Sequence, residues 1–475
     1  VTQQSWSALL LGKNGIRFLT FAGGVLLYAT NIYIVITILP SLMSDIGGEV
    51  YYSWVATIFI TASLLGTSFA TKILEKVGPR KAYVIAAVLF TVGSFMCSAA
   101  STMPLFLVGR FIQGFGGGSL LSLSYSMVRI IFTAPLWSRA LSVISGMWGI
   151  STLLGPAIGG ISVHYGVWRL SFLVIGLLAI IFSFIALKIL PKENENNFPT
   201  APLPLAQLST LILLISIIST GGAINSTSAK ICGLIIGLSF LFILAKIESS
   251  TLYPMLPRHS FSFSSEFFPV YALMLIMTIT VYSIELYLPL FLQELHKLPP
   301  LIAGYMAALM SLGWTCGALS SASVSTKKIC RITIYSPILN LLGISILLWL
   351  IPTKMPTSAH IFIICITLFS IGISAGIAWP HLLTRILRCA NDEDALRASE
   401  SLTSVQLFSA ALSATLAGTI TNLFGLFNPG GILGMISAAK ALLIVLISLL
   451  FFLAFPFALR ISYRIFKNPT GQSDK

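Results

Sequence analysis

Apolar runs long enough to cross a membrane recur along this chain, and too few charges lie between them to form a water-facing shell. A helix needs about 20 predominantly apolar residues to span the hydrocarbon core. Fourteen runs of that order can be marked: 18–40, 53–71, 82–100, 104–128, 140–163, 168–190, 204–222, 230–247, 267–292, 301–323, 332–351, 359–382, 400–424 and 433–458. With no water at that depth, only hydrogen bonding within each segment satisfies the backbone, so the runs are predicted to be helices. Of the 475 residues 56% are hydrophobic and only 9% are charged, and a soluble domain carries about 25% charged residues. The eighth run is short and starts at Lys230, which leaves open a re-entrant or surface-lying pair formed with the seventh.

Lys and Arg concentrate in alternate gaps. If the N-terminus is inside, the cytoplasmic gaps hold Lys13, Arg17, the cluster Lys72, Lys76, Arg80 and Lys81, then Lys192, Lys327, Lys328, Arg331 and the tail residues Arg460, Arg464, Lys467 and Lys475. The outer gaps hold Arg169, Lys230, Lys297 and Lys354. This asymmetry predicts a multi-pass inner-membrane protein with both termini in the cytoplasm. It also accounts for the net charge of +14. The charges are spread over short loops and form no basic domain, so no nucleic-acid partner is expected. The first run ends at Pro40 without a small-residue cleavage motif and is expected to be an uncleaved helix. The six cysteines are scattered and show neither zinc-ligand nor disulfide-framework spacing.

The longest polar stretches, 191–203 and 248–266, divide the runs as six, two and six. The expected organisation is a six-helix bundle over 1–190, a linker with an inserted helix pair over 191–266, a second six-helix bundle over 267–458 and a cytoplasmic tail over 459–475. The basic loop at Lys72–Lys81 finds an echo at Lys327, Lys328 and Arg331, as two related halves would show, although basic loops also follow from topology alone.

Three motifs stand out. Gly155-Pro156-Ala157-Ile158-Gly159-Gly160 lies inside the fifth run. Pro156 removes a helix hydrogen bond and the glycines permit close helix approach, which describes either a pivot or a plain kinked packing seam. Arg110, Gln113 and Gly114 lie inside the fourth run, where a charge must face a partner or a wet cavity; a helix clamp onto carbonyls is the structural alternative. The loop after the second run carries Glu75, Gly78, Arg80 and Lys81.

In this order the motifs resemble those of the major facilitator superfamily. The first is similar to its antiporter motif G-x-x-x-G-P-x-x-G-G, with Ser151 at the first glycine, and Trp168, Arg169 and Phe172 follow as they often do in the drug exporters. The second resembles R-x-x-q-G. The third resembles G-x-L-a-D-r-x-G-r-k, with Glu75 for Asp and Thr71 for the first Gly. The resemblance implies an all-α major facilitator fold of two six-helix bundles. It gives the third loop the role of a cytoplasmic latch between them. The extra pair and the stretch Glu248…Pro254-Met255-Leu256-Pro257 look like the 14-helix drug:proton antiporter branch.

One position departs from that branch, which usually places an acidic residue in helix one. Counting back from Pro40 puts Asn31 there, and an amide cannot carry a proton. Glu285 is the only carboxylate deep in a predicted span. At 1.5 Å per residue, Glu285 lies about 10 Å, Arg110 about 9 Å and Asn31 about 13 Å below the outer helix ends. In the superfamily the helices that bear them line a central cavity. Glu285 and Arg110 are therefore the candidates for proton coupling, with a permanent structural bridge as the alternative. Tyr28, Asn31, Gln113 and Tyr282, together with Ser122, Tyr271, Met274, Trp379 and Gln406, are the candidate cavity residues.

The five histidines, expected in loops or near helix ends, show no metal spacing, and neither a nucleophile elbow nor a phosphate-cradling loop is present. The expected function is therefore proton-coupled efflux of small amphipathic drugs or metabolites by a secondary transporter. It is expected to be no enzyme, to need no cofactor and to work as a monomer in the bilayer. The rival readings are import of a siderophore or other small metabolite, a polytopic membrane enzyme, and a receptor of the same fold.

Overall fold

The computed structural model describes residues 12–132, 134–191, 202–321, 324, 326–353, 356–390 and 394–467. Most of the polar stretch 191–203, together with Lys192, Lys354 and the tail beyond residue 467, lies outside them. The described residues form helices and no strand. They are α1 (Gly12–Ile46), α2 (Tyr52–Ala99), α3 (Met103–Ile131), α4 (Ala134–His164), α5 (Arg169–Ile189), α6 (Leu205–Ala223), α7 (Thr227–Ser250), α8 (Phe267–Glu294), α9 (Pro300–Ser321), α10 (Thr326–Leu350), α11 (Ser358–Cys389), α12 (Ala395–Leu423), α13 (Gly431–Leu449) and α14 (Phe455–Lys467).

Among the described residues, twelve helices are long and apolar enough to cross a membrane, against fourteen runs in the sequence. Two elements account for the difference. One of the twelve, Glu49–Ala99, has 51 residues and takes in the second and third runs. The loop expected between those runs is helical on both sides of a single break at Gly78, where φ is +78° and ψ is 168°. Glycine reaches that φ without a steric clash, and Pro79 restarts the helix at a position where its missing N–H is not needed. The second element, α3, is not among the twelve; its 29 residues include Arg110, Gln113 and a run of glycines. α6 and α7 are both among the twelve, so the eighth run forms a 24-residue helix that takes in Lys230. α11 runs on to Cys389, which places His381 inside a helix and not near its end.

The chain divides into two compact units, Val1–Gly48 with Ile58–Leu203, and Glu49–Thr57 with Pro204–Lys475. In the first unit, α1 packs along α4. Its end Asp45 accepts from Trp168 Nε1 at 3.0 Å and Arg169 Nη1 at 2.5 Å, while Arg169 Nη2 donates to Ala100 O at 2.9 Å. The same aromatic–basic pair thereby closes one end of the unit, and Trp168, Phe106 and Phe172 stack edge to face beneath it.

In the second unit the inserted pair α6–α7 packs on α12. Lys230 Nζ donates to Asn422 O at 2.8 Å, a carbonyl in the last turn of α12, where a cation complements the helix dipole. Asn422 Nδ2 in turn donates to Gly222 O at 3.3 Å near the end of α6. The segment between α7 and α8 is held by three carboxylates. Glu248 accepts the N–H groups of Met255 at 2.9 Å and Leu256 at 3.1 Å. Asp394 accepts from the Arg258 N–H at 3.2 Å, and Glu266 pairs with Arg385 at 2.8 Å.

Candidate functional site

In the first unit, α3 sets Arg110 and Gln113 three residues apart and so on one face. Both are buried, as are Asn31 and Tyr28 from α1. Arg110 Nη1 donates to Gln113 Oε1 at 2.6 Å, and the guanidinium carbon lies 4.1 Å from the centre of the Phe59 ring. Gln113 Nε2 donates to Asn31 Oδ1 at 3.1 Å and to Ser94 Oγ at 2.8 Å. Tyr28 stacks on Phe59 with centroids 5.4 Å apart, and Trp148 meets Tyr28 edge-on at 6.0 Å. An intramembrane cation is thus answered by an amide oxygen and an aromatic face. Gln113 acts as a relay, with its oxygen spent on the cation and its nitrogen on Asn31. Four residues read from the sequence come together here. Phe59 and Ser94 were not anticipated, and nothing in their local sequence marks them.

In the second unit, Glu285 is buried on α8 and accepts from Ser311 Oγ of α9 at 2.9 Å. Tyr282, one turn earlier, is half-buried. Trp379 pairs with Trp314 at 5.0 Å. Tyr271 shares a hydrogen bond with Ser401 at 2.6 Å, Met274 is fully buried, Ser122 is half-buried and Gln406 is exposed. Ser311 and Trp314 were missed as single residues. The seam that carries them was legible as two four-residue glycine spacings, Gly313–Gly317 on α9 and Gly372–Gly376 on α11. A Cβ at Gly317 would lie 2.7 Å from Ile373 O, and one at Gly376 would overlap the Trp314 carbonyl.

The Gly155–Gly160 motif faces α1. A Cβ on Gly155 would overlap that of Tyr33, and one on Gly159 would lie 3.0 Å from Ile38 Cγ2 and 3.1 Å from Ile34 O. Gly160 is buried and Pro156 lies within α4. Ser151, at the motif's first position, accepts from Thr30 Oγ1 at 3.1 Å and reaches Leu26 O at 3.3 Å. In the third motif Glu75 pairs with Lys72 at 3.3 Å, Lys81 is exposed, and Arg80 Nε donates to Leu190 O at 2.7 Å. Among the described residues no group of three His, Cys, Asp or Glu is placed to hold a metal ion.

The family model described as Major Facilitator Superfamily matches residues 21–414. The chain belongs to the Major Facilitator Superfamily. A Mycobacterium tuberculosis relative that bears the name probable multidrug-efflux transporter is 30% identical over 432 residues, covering 88% of this chain and 90% of the relative. A multidrug efflux pump of Staphylococcus aureus is 24% identical over 420 residues, covering 86% and 90%. A solved peptide transporter in complex with sulfate superposes with a TM-score of 0.66 at 14% identity, covering 97% of this chain and 99% of that one. This superfamily member is therefore a multi-pass membrane protein with the major facilitator fold.

Proposed function

We propose that this superfamily member exports small amphipathic compounds across the inner membrane in exchange for protons. The observation that carries the reading is the 30% identity, across nine-tenths of its length, to a relative named for multidrug efflux. The close α1–α4 seam at Gly155 and Gly159 adds support, because the antiporter motif falls where two helices touch. Tyr28, Asn31, Gln113 and Tyr282 would contact a solute that is largely apolar and weakly charged.

Glu285 is assigned the proton and Arg110 the counter-charge. Glu285 would alternate between a protonated state and one that balances Arg110 as the transport cycle proceeds. Proton binding and substrate binding are then linked, and the linkage is reciprocal. The proposed topology has fourteen crossings. The helices on either side of Gly78 cross separately, and α3 crosses despite its polar residues. Both termini are cytoplasmic and the inserted pair lies between two six-helix bundles. Glu75, Gly78, Arg80 and Lys81 form the cytoplasmic latch.

The test is export in everted membrane vesicles. Glu285→Gln is expected to abolish accumulation driven by a pH gradient, by at least tenfold, while sparing downhill exchange. Unchanged proton-driven accumulation by a well-folded Glu285→Gln protein would refute the coupling scheme. Loss of the folded protein would instead favour a fixed structural role for the carboxylate.

A further inference from the structure

An apolar groove of about 200 Å³ runs between the second arm of α2 and α5, within the first unit. Its walls are Val84, Val88, Thr91 and Val92 on one side, and Ile180, Ser183, Phe184 and Leu187 on the other. The Thr91 hydroxyl donates to Ala87 O at 2.8 Å, so its proton is spent within its own helix. Val84 to Val92 spans about 12 Å along the helix axis. At roughly 30 Å³ for a water-sized group, the groove holds about seven methylenes.

One end of the groove is strongly basic. Lys81 stands one turn before Val84, Lys188 adjoins Leu187, and both are exposed. Arg80 and Arg17 cap the carbonyls of Leu190 and Ile189 at the same end. Glu75 is the one acidic residue there among the described residues, and it is paired with Lys72. We propose that this groove retains an anionic phospholipid, with one acyl chain along Val88, Val92, Phe184 and Leu187 and the phosphate at Lys81 and Lys188.

The geometry is that of a lipid. The groove follows two membrane-spanning helices lengthwise, and it is apolar along their length and cationic where they end. A zwitterionic lipid would fill the same walls but would gain less from the two ammonium groups, which attract a net negative headgroup. The site does not depend on which face of the membrane the basic end occupies, nor on the transport reaction proposed above.

The test is native mass spectrometry of the full chain released from nanodiscs made of equal phosphatidylglycerol and phosphatidylcholine. The wild type is expected to keep one phosphatidylglycerol at least fivefold over phosphatidylcholine. Lys188→Gln should reduce that preference to about twofold or less. Val88→Trp and Leu187→Trp, which fill the groove from opposite walls, should each lower retention of either lipid severalfold. Leu178→Trp, on the far face of α5, should leave it unchanged. Equal retention of the two lipids by the wild type would overturn the proposal. So would wild-type retention in both groove-filling variants.

Discussion

Asn31 Oδ1 accepts a hydrogen bond from Gln113 Nε2 at 3.1 Å, and the oxygen of the same Gln113 amide accepts from Arg110 at 2.6 Å. The amide in helix one is thus held two links from a buried cation. An aspartate at residue 31 would keep the acceptor for Gln113 and add a titratable charge. Asn31→Asp is expected to restore pH-driven export to a Glu285→Gln protein, to a tenth of wild type or more, when assayed in everted vesicles. Asn31→Leu would leave one of the two Gln113 amide N–H groups without its acceptor, Ser94 keeping the other, and lower stability by about 1–3 kcal/mol, read as a fall in melting temperature in detergent.

The α1–α4 seam grades its glycines. A methyl group at Gly155 would overlap the Tyr33 Cβ, which cannot swing away, whereas one at Gly159 would lie 3.0 Å from Ile38 Cγ2 and 3.1 Å from Ile34 O, contacts that a shift of a few tenths of an ångström relieves. Gly155→Ala is therefore expected to lower export more than Gly159→Ala does. Gly159→Leu should overfill the contact, cost about 1–3 kcal/mol and block export while the protein still reaches the membrane. Surface labelling and flux in the same cells check both statements.

The segment after α7 depends on Glu248. Its two carboxylate oxygens each take a backbone N–H, from Met255 and Leu256. Glu248→Ala removes both acceptors and should expose the segment 251–260 to protease and to faster amide exchange. Glu248→Gln keeps one acceptor oxygen and should fall between. Hydrogen exchange measured by mass spectrometry separates the three proteins.

His296 lies between α8 and α9, outside the membrane spans. Its Nε2 donates to Ile351 O at 3.0 Å while Nδ1 is buried without a partner. Burial holds the imidazole below its ordinary value of 6.5. A base with a depressed folded pKa contributes stability above the unfolded value, and that stability is lost as pH falls below it. Thermal stability should therefore decline as pH drops from about 6.5, and His296→Gln should flatten that decline. A melting series from pH 8 to 5 measures it.

Much of this was legible in the sequence because the bilayer imposes one rule on every span. Apolar length placed the helices, and the depth count put Asn31, Arg110 and Glu285 at similar levels, whereas the role of Gln113 as the link between Asn31 and Arg110 emerges only from the structure. The break at Gly78 was read as a loop because basic, polar residues surround it, yet those residues suit an exposed helix equally well. Ser311 and Phe59 were illegible because each acts through a contact distant in sequence. The Glu248 motif was visible as a pattern, but its meaning, a carboxylate gripping two N–H groups seven and eight residues away, emerges only in three dimensions.

The last long helix contains a wider turn, Leu450–Ala454, with π-type bonding between α13 and α14. Buried residues recur at Leu442, Leu446, Leu450, Ala454 and Ala458, a strict step of four. In an α-helix each such step drifts by about 40°, which would turn the buried face through roughly 160° over this stretch. The wide turn absorbs part of that drift. It works as a phase corrector, keeping the final turns in step so that Arg464 meets the Ser264 and Ser265 carbonyls and Arg460 meets that of Phe263. Were the same five residues wound as an ordinary α turn, each would advance by about 100°, and both arginines would turn away from those carbonyls.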